Sequence, residues 1–164
     1  MGHSLILGMT ESGKTTLAKK LCHNYKARGI KTIVLDPLCD PEWLADFQTS
    51  DPEEFLKMFW DSRSCAVFID ESGDVVGKYD TAMQKTATKG RHWGHNVHYI
   101  SQRGAQINRT VRDQCSNLFL FKSGMNDRKI HAEEWDSEQL KEQLPLGTCF
   151  NVGRNGQPQK IKIF

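Results

Sequence analysis

Gly8-Met9-Thr10-Glu11-Ser12-Gly13-Lys14-Thr15 fits the pattern G-x-x-x-x-G-K-[ST] at every fixed position. Its flanks supply the context that the pattern needs. Ser4-Leu5-Ile6-Leu7 is a short apolar run that leads straight into the loop, and Thr16-Leu17-Ala18-Lys19-Lys20-Leu21 carries apolar residues at helical spacing after it. Strand, glycine loop and helix in that order turn backbone N–H groups inward and aim the positive end of a helix dipole at the same point, which suits a phosphate. The expected binding set is Gly8, Met9, Thr10, Glu11, Ser12, Gly13, Lys14, Thr15 and Thr16. Lys14 is placed to reach the β- and γ-phosphates, and the Thr15 hydroxyl to ligate Mg2+.

A second apolar run, Cys65-Ala66-Val67-Phe68-Ile69, ends in Asp70-Glu71. A parallel strand buried on both faces has this composition, and carboxylates at its C-terminal end emerge beside the glycine loop. Asp70 is the expected water-mediated Mg2+ partner and Glu71 the base that polarises an attacking water, which points to hydrolysis rather than transfer to a bound acceptor. Asn96-Val97-His98-Tyr99-Ile100-Ser101 forms another strand ending at Gln102, a polar group that can hydrogen-bond a γ-phosphate or its water. Lys78, Lys85, Lys89 and Arg91 make residues 78–91 the most basic stretch, suited to gripping a phosphate backbone. A solvated lysine face accounts for the same pattern.

The rest of the chain reads as alternating strands and helices. The helix after the loop runs to about Arg28, and Lys31 to Pro37 is a strand with its turn, where Asp36-Pro37 reads as a turn opener ahead of a site role. Asp40 to Ser50 is a connecting loop or short edge element. Asp51-Pro52-Glu53-Glu54 starts a helix with Phe55, Met58 and Phe59 on one face. Further helices are expected over about 79–91, 103–115, 127–135 and 137–144, with a strand over 116–122. Residues 147–164 read as a hairpin that turns at Asn155-Gly156.

With 164 residues, a net charge of +2 and 26% charged residues, the chain is expected to form a single domain over residues 1–164. Its five scattered cysteines include no C-x-x-C pair and suggest reduced thiols. No stretch approaches the ~18 apolar residues of a membrane span, so a cytoplasmic location is expected. The fold class is α/β, a P-loop NTPase with a mainly parallel sheet sandwiched by helices and a C-terminal antiparallel hairpin.

The strand ending in Asp-Glu, followed by the Gly90-Arg91-His92-Trp93-Gly94 turn and a strand ending Ser101-Gln102-Arg103, resembles the FtsK/HerA superfamily of ring-shaped ATPases. Within it, the short chain is similar to the genome-packaging ATPases of membrane-containing icosahedral viruses and phages. The resemblance spans about Ser4 to Lys122. It implies ATP and Mg2+ as cofactors, Asp70 and Glu71 as the hydrolytic pair, Gln102 as sensor, and an arginine donated by a neighbouring subunit. Arg91 occupies the family's usual position for that arginine, with Arg103, Arg109 and Arg112 as further candidates. It also implies a homo-oligomeric ring of five or six subunits, double-stranded DNA as partner, and portal or capsid-vertex proteins that supply genome specificity. The setting would be the host cytoplasm or the virion vertex. The Asp70 strand is expected beside both the loop strand and the Gln102 strand. Two other readings stay open: a filamentous-phage-type morphogenesis ATPase, and a small-molecule or nucleotide kinase.

Overall fold

Runs such as Leu5-Ile6-Leu7 and Ala66-Val67-Phe68-Ile69 have no polar face, so as strands they must be covered from both sides. The structure, a computed structural model, describes residues 2–70 and 80–164. Among these residues, eight strands form one sheet: β1 (His3–Leu7), β2 (Thr32–Leu35), β3 (Phe47–Thr49), β4 (Ala66–Ile69), β5 (Asn96–Ser101), β6 (Cys115–Leu120), β7 (Thr148–Gly153) and β8 (Gln159–Lys162). The order is β3-β2-β4-β5-β1-β6-β7-β8. Every pairing from β3 to β6 is parallel, and β7 and β8 add an antiparallel hairpin at the edge. The α-helices among the described residues are α1 (Lys14–Ala27), α2 (Pro52–Asp61), α3 (Asp80–Lys89), α4 (Arg109–Gln114) and α5 (Met125–Glu134).

The pleat sends alternate residues to opposite faces. Leu5, Leu7, Val67 and Ile69 join Phe55 and Phe59 of α2, Met83 and Ala87 of α3 and Val111 of α4 in one core. Ile6, Ala66 and Phe68 join Leu17, Ala18 and Cys22 of α1 and the fully buried Trp43 in the other. α2 starts as its sequence suggests, with the Asp51 carboxylate accepting from Glu53 N–H and Pro52 at the first helical position. No helix among the described residues is long and apolar enough to cross a membrane.

Several expectations are corrected. The Asp70 strand, β4, adjoins β5 and β2 but not the loop strand: β5 lies between β4 and β1. The Asp40–Ser50 connection agrees with the expected loop or short edge element: it contains a short edge strand, β3, paired parallel to β2. Residues 103–115 hold a 3₁₀ turn at Gly104–Gln106 and the short α4 rather than one helix, and only Glu138–Lys141 of the last helical patch is wound, as 3₁₀. Asp36 is a turn residue. Its carboxylate accepts from Leu38 N–H, Asp40 N–H and the Trp43 indole, and so folds the loop that carries Trp43 into the core.

Buried histidines hold the N-terminal end of the sheet. His3 Nδ1 accepts from Val97 N–H at 3.0 Å while its Nε2 faces Ala87 O at 3.0 Å. His95 repeats the arrangement, with Nδ1 accepting from Cys65 N–H and Nε2 facing Phe59 O. In both rings the backbone donor fixes the tautomer: Nδ1 is bare and Nε2 carries the proton. A second proton would break the accepted bond. Burial pushes His3, His98 and His131 down to about 4, and lowers His95 as well. These histidines are protonated more readily in the unfolded chain, so their contribution is complete above pH 6.5 and is lost as pH falls from 6.5 toward 4. For His3, His98 and His131 a shift of this size corresponds to about 3 kcal/mol each. The urea midpoint is therefore expected to stay level between pH 7 and 8 and to fall steeply below 6.5. A midpoint unchanged down to pH 5 contradicts the neutral-histidine account.

Candidate functional site

β1 ends at Leu7, and the chain turns through residues 8–13 into α1. Among the described residues, backbone hydrogen bonds tie the loop to three other segments. Gly8 N–H reaches Ser101 O of β5 at 3.3 Å, Met9 N–H reaches Lys122 O just past β6 at 2.8 Å, and Gly147 N–H reaches Ser12 O at 2.8 Å. Gly13 has φ +120, and a Cβ there would lie 2.7 Å from the Phe121 ring, so only glycine fits. Gly13 is also the N-cap of α1 and offers no side chain to its first N–H groups, and the first turn carries no acidic residue. α1 therefore begins with neither a side-chain cap nor a first-turn carboxylate against the positive end of its dipole.

Lys14 is buried, and its Nζ donates to Gly8 O at 2.7 Å and Met9 O at 3.1 Å, curling across the loop. A hollow of about 150 Å3 opens here, lined by Glu11, Gly13, Lys14, Thr15, Thr16 and Phe164. Ser12 Oγ is buried beneath it with no hydrogen-bond partner among the described residues. Met9 and Thr10 lie exposed on the rim.

Gln102 follows β5, and its Nε2 donates to Thr10 Oγ1 at 2.7 Å. The expected sensor and the glycine loop are thus in direct contact. Asp70 is buried at the end of β4, its N–H bonded to Leu35 O. Because β5 intervenes, Asp70 stands two strand spacings from β1, about 10 Å. Thr15 and Asp70 offer a hydroxyl and a carboxylate to the same rim. Among the described residues, no cluster of three or more His, Cys, Asp or Glu could cage a metal. That donor set fits Mg2+, which keeps most of its waters and takes few protein oxygens, better than a cation needing a full protein cage. The uncapped helix start and the orphaned Ser12 hydroxyl likewise fit an anionic group at the loop. Glu71 and Lys78 lie outside the described residues.

Arg91 sits elsewhere. Its 3₁₀ turn, Gly90–Trp93, precedes β5, so it lies on the N-terminal rim, a strand length of about 20 Å from the glycine loop. The exposed guanidinium donates to Gln114 O at 2.5 Å, where β6 begins. Lys85 and Lys89, one helical turn apart on α3, are exposed and lead toward the same turn. Of the other arginines, Arg112 is held by Glu134 at 2.7 Å with its side chain 13% exposed, and Arg103 pairs with Asp127 on the Gln102 side. Arg109 is the most exposed of the three, its side chain 80% accessible.

Phe164 was absent from the expected set. Nothing in its local sequence connects it with the loop. Its position depends on the β7–β8 hairpin, which brings it back beside Gly13.

A glycine loop between a central parallel strand and a helix, with an acid at the end of a strand two places away and a polar residue just past the strand between, defines a P-loop NTPase. The chain belongs to the family described as novel STAND NTPase 3, whose model matches residues 2–138. No curated protein matches it in sequence. Among solved structures, it shares its fold with the genome packaging NTPase B204 from Sulfolobus turreted icosahedral virus 2, in complex with AMPPCP. The TM-score is 0.81 at 18% identity over 99% of this chain and 98% of that one. The pCW3 conjugation coupling protein TcpA, with ATPγS, gives 0.75 at 13% identity over 99% of this chain and 60% of that one. The cytoplasmic domain of the type VII secretion ATPase EccC from Thermomonospora curvata gives 0.73 at 13% identity over 99% and 23%. This is the fold that the FtsK/HerA resemblance implies.

The close approach at Gly13 gives a direct test. Gly13→Ala must relieve both the φ strain and the contact with Phe121, and is expected to cost on the order of 1–3 kcal/mol in urea denaturation. At Gly156 a Cβ would meet nothing nearer than 3.8 Å, and Gly156→Ala is expected to stay within about 0.5 kcal/mol of the parent. Equal stability of both variants would contradict the packing of the loop on Phe121.

Proposed function

We propose that this chain is an ATP-hydrolysing motor that translocates double-stranded DNA and packages a viral genome into a preformed capsid. The observation that carries the reading is the division of the sheet. The glycine loop, Thr15, Asp70 and Gln102 share the C-terminal rim, while Arg91 lies with Lys85 and Lys89 toward the N-terminal rim, out of reach of its own loop. An arginine so placed serves a nucleotide site only in a neighbouring copy, and a ring of five or six subunits supplies that neighbour to every site. Similarity in fold to a viral genome packaging NTPase supports the choice of cargo.

In this reading the loop N–H groups and the start of α1 bind the phosphates, and Lys14 leaves the Gly8 and Met9 carbonyls to reach the β- and γ-phosphates. The Thr15 hydroxyl and the Asp70 carboxylate would hold magnesium, which when bound would supply charge neutralisation on those phosphates. Glu71 takes the proton of the attacking water. Gln102, now bonded to Thr10, exchanges that bond for one to the γ-phosphate and so couples the phosphate to the loop. The neighbour's Arg91 stabilises charge on the transferring phosphoryl group. Lys78, Lys85 and Lys89 contact the DNA backbone, with portal or capsid-vertex proteins supplying specificity in the host cytoplasm or at the vertex.

Steady-state ATP hydrolysis at rising protein concentration, with and without double-stranded DNA, tests this. The rate per subunit is expected to climb with concentration and with DNA. Glu71→Gln is expected to abolish it, and Arg91→Ala to lower it by ~10³ or more. A flat rate that ignores DNA, with Arg91→Ala silent, would remove the shared-site motor from consideration.

A further inference from the structure

Phe164 is the one exposed Phe, Tyr or Trp among the described residues, at 59% accessibility. An aromatic ring left in water on an otherwise well-filled protein suggests a missing contact. The backbone holding it is well anchored. Ile163 N–H donates to Gly147 O at 2.7 Å, Phe164 N–H to the same oxygen at 3.3 Å, and Gly147 N–H donates in turn to Ser12 O within the loop. Lys20 of α1 adds a bond from Nζ to Ile163 O at 3.2 Å. Gly147 has φ +82, and a Cβ there would come within 2.8 Å of the Phe164 ring and 2.6 Å of its carbonyl oxygen, so the glycine makes room for this placement.

The ring stands at the edge of the loop hollow. An ideal Cβ on Gly13 would lie 3.3 Å from Phe164 Cε2, and Phe164 shares the lining of the hollow with Thr15 and Thr16 at the start of α1. Phosphates held by the loop and the first N–H groups of α1 leave the nucleoside to extend past the helix start, along the wall that Phe164 forms. The flat apolar face there suits a purine ring, and stacking on an aromatic side chain tolerates any base because every base has a π-face.

We infer that Phe164 is the stacking platform for the base of the bound nucleotide, a positioning residue delivered by the C-terminal hairpin. This rests on reading residues 8–16 as the triphosphate site. It makes the β7–β8 hairpin part of the nucleotide site as well as the edge of the sheet.

The test separates base from phosphate by titrating the full chain, in magnesium, with a non-hydrolysable ATP analogue and with inorganic tripolyphosphate. Phe164→Ala is expected to weaken the analogue about tenfold while leaving tripolyphosphate affinity unchanged, with Phe164→Tyr restoring the analogue. In Phe164→Trp the added indole emission is expected to be quenched by the analogue and not by tripolyphosphate. Lys14→Ala is expected to weaken both ligands. If the parent binds both ligands and Phe164→Ala binds the analogue as tightly as the parent, the stacking role is overturned while the triphosphate site stands. If the parent binds neither ligand, or Lys14→Ala binds both as well as the parent, the triphosphate reading itself fails and the stacking role with it.

Discussion

The hydrogen bonds that tie the glycine loop to three separate segments are the constraint on which the rest of the site depends. Gly8 is bonded to β5, Met9 to the chain after β6, and Ser12 to Gly147 at the root of the hairpin. A loop fixed this way keeps its own N–H groups and those at the start of α1 in one orientation without a ligand. The ordering entropy is met at folding rather than at binding. The same bonds explain why β5 must lie beside β1: Ser101 O can accept from Gly8 only from a neighbouring parallel strand, and Gln102 then falls within reach of Thr10.

Parallel strands also give the molecule two different rims. The C-terminal rim gathers backbone donors, the Lys14 ammonium and the carboxylate of Asp70. The N-terminal rim is held by neutral buried histidines, His3 and His95, that accept from backbone N–H groups of neighbouring segments. Arg91 projects from this second rim. Its positive charge helps keep His3 neutral, after the larger effect of burial. The histidines therefore support the turn that presents Arg91, and acid that charges them would loosen that turn as well as the sheet. One rim carries the glycine loop and Gln102, and the other presents the Arg91 guanidinium, a strand length away.

Much of this was legible in the sequence because the responsible signals are local. The glycine loop, the apolar run ending in Asp70 and the strand ending in Gln102 each declare themselves within a few residues, and the alternation of strands and helices follows from periodicity. The order of the strands is not local. The placement of β5 between β4 and β1 depends on which apolar faces pack together across the sheet, and the expectation that β4 adjoins β1 fails there. The three-residue β3 is too short to show a period, and its pairing comes from lying beside β2. Phe164 is illegible in the sequence for the same reason: its place comes from a hairpin that returns it to a loop far away in sequence. Asp36 shows the opposite case, where turn chemistry in the sequence correctly outweighed a site role.

The central claim is that one copy supplies the loop and another supplies Arg91. Mixing two inactive variants tests it most directly. Lys14→Ala lacks a working loop but presents an intact Arg91, and Arg91→Ala has the converse defect. Where Arg91→Ala contributes the loop and Lys14→Ala the arginine, an intact site forms between them. ATP hydrolysis by the equimolar mixture is therefore expected to rise well above the sum of the separate variants, peaking near equal proportions. A mixture no more active than its components, at concentrations where the parent is fully active, would contradict a site shared between subunits.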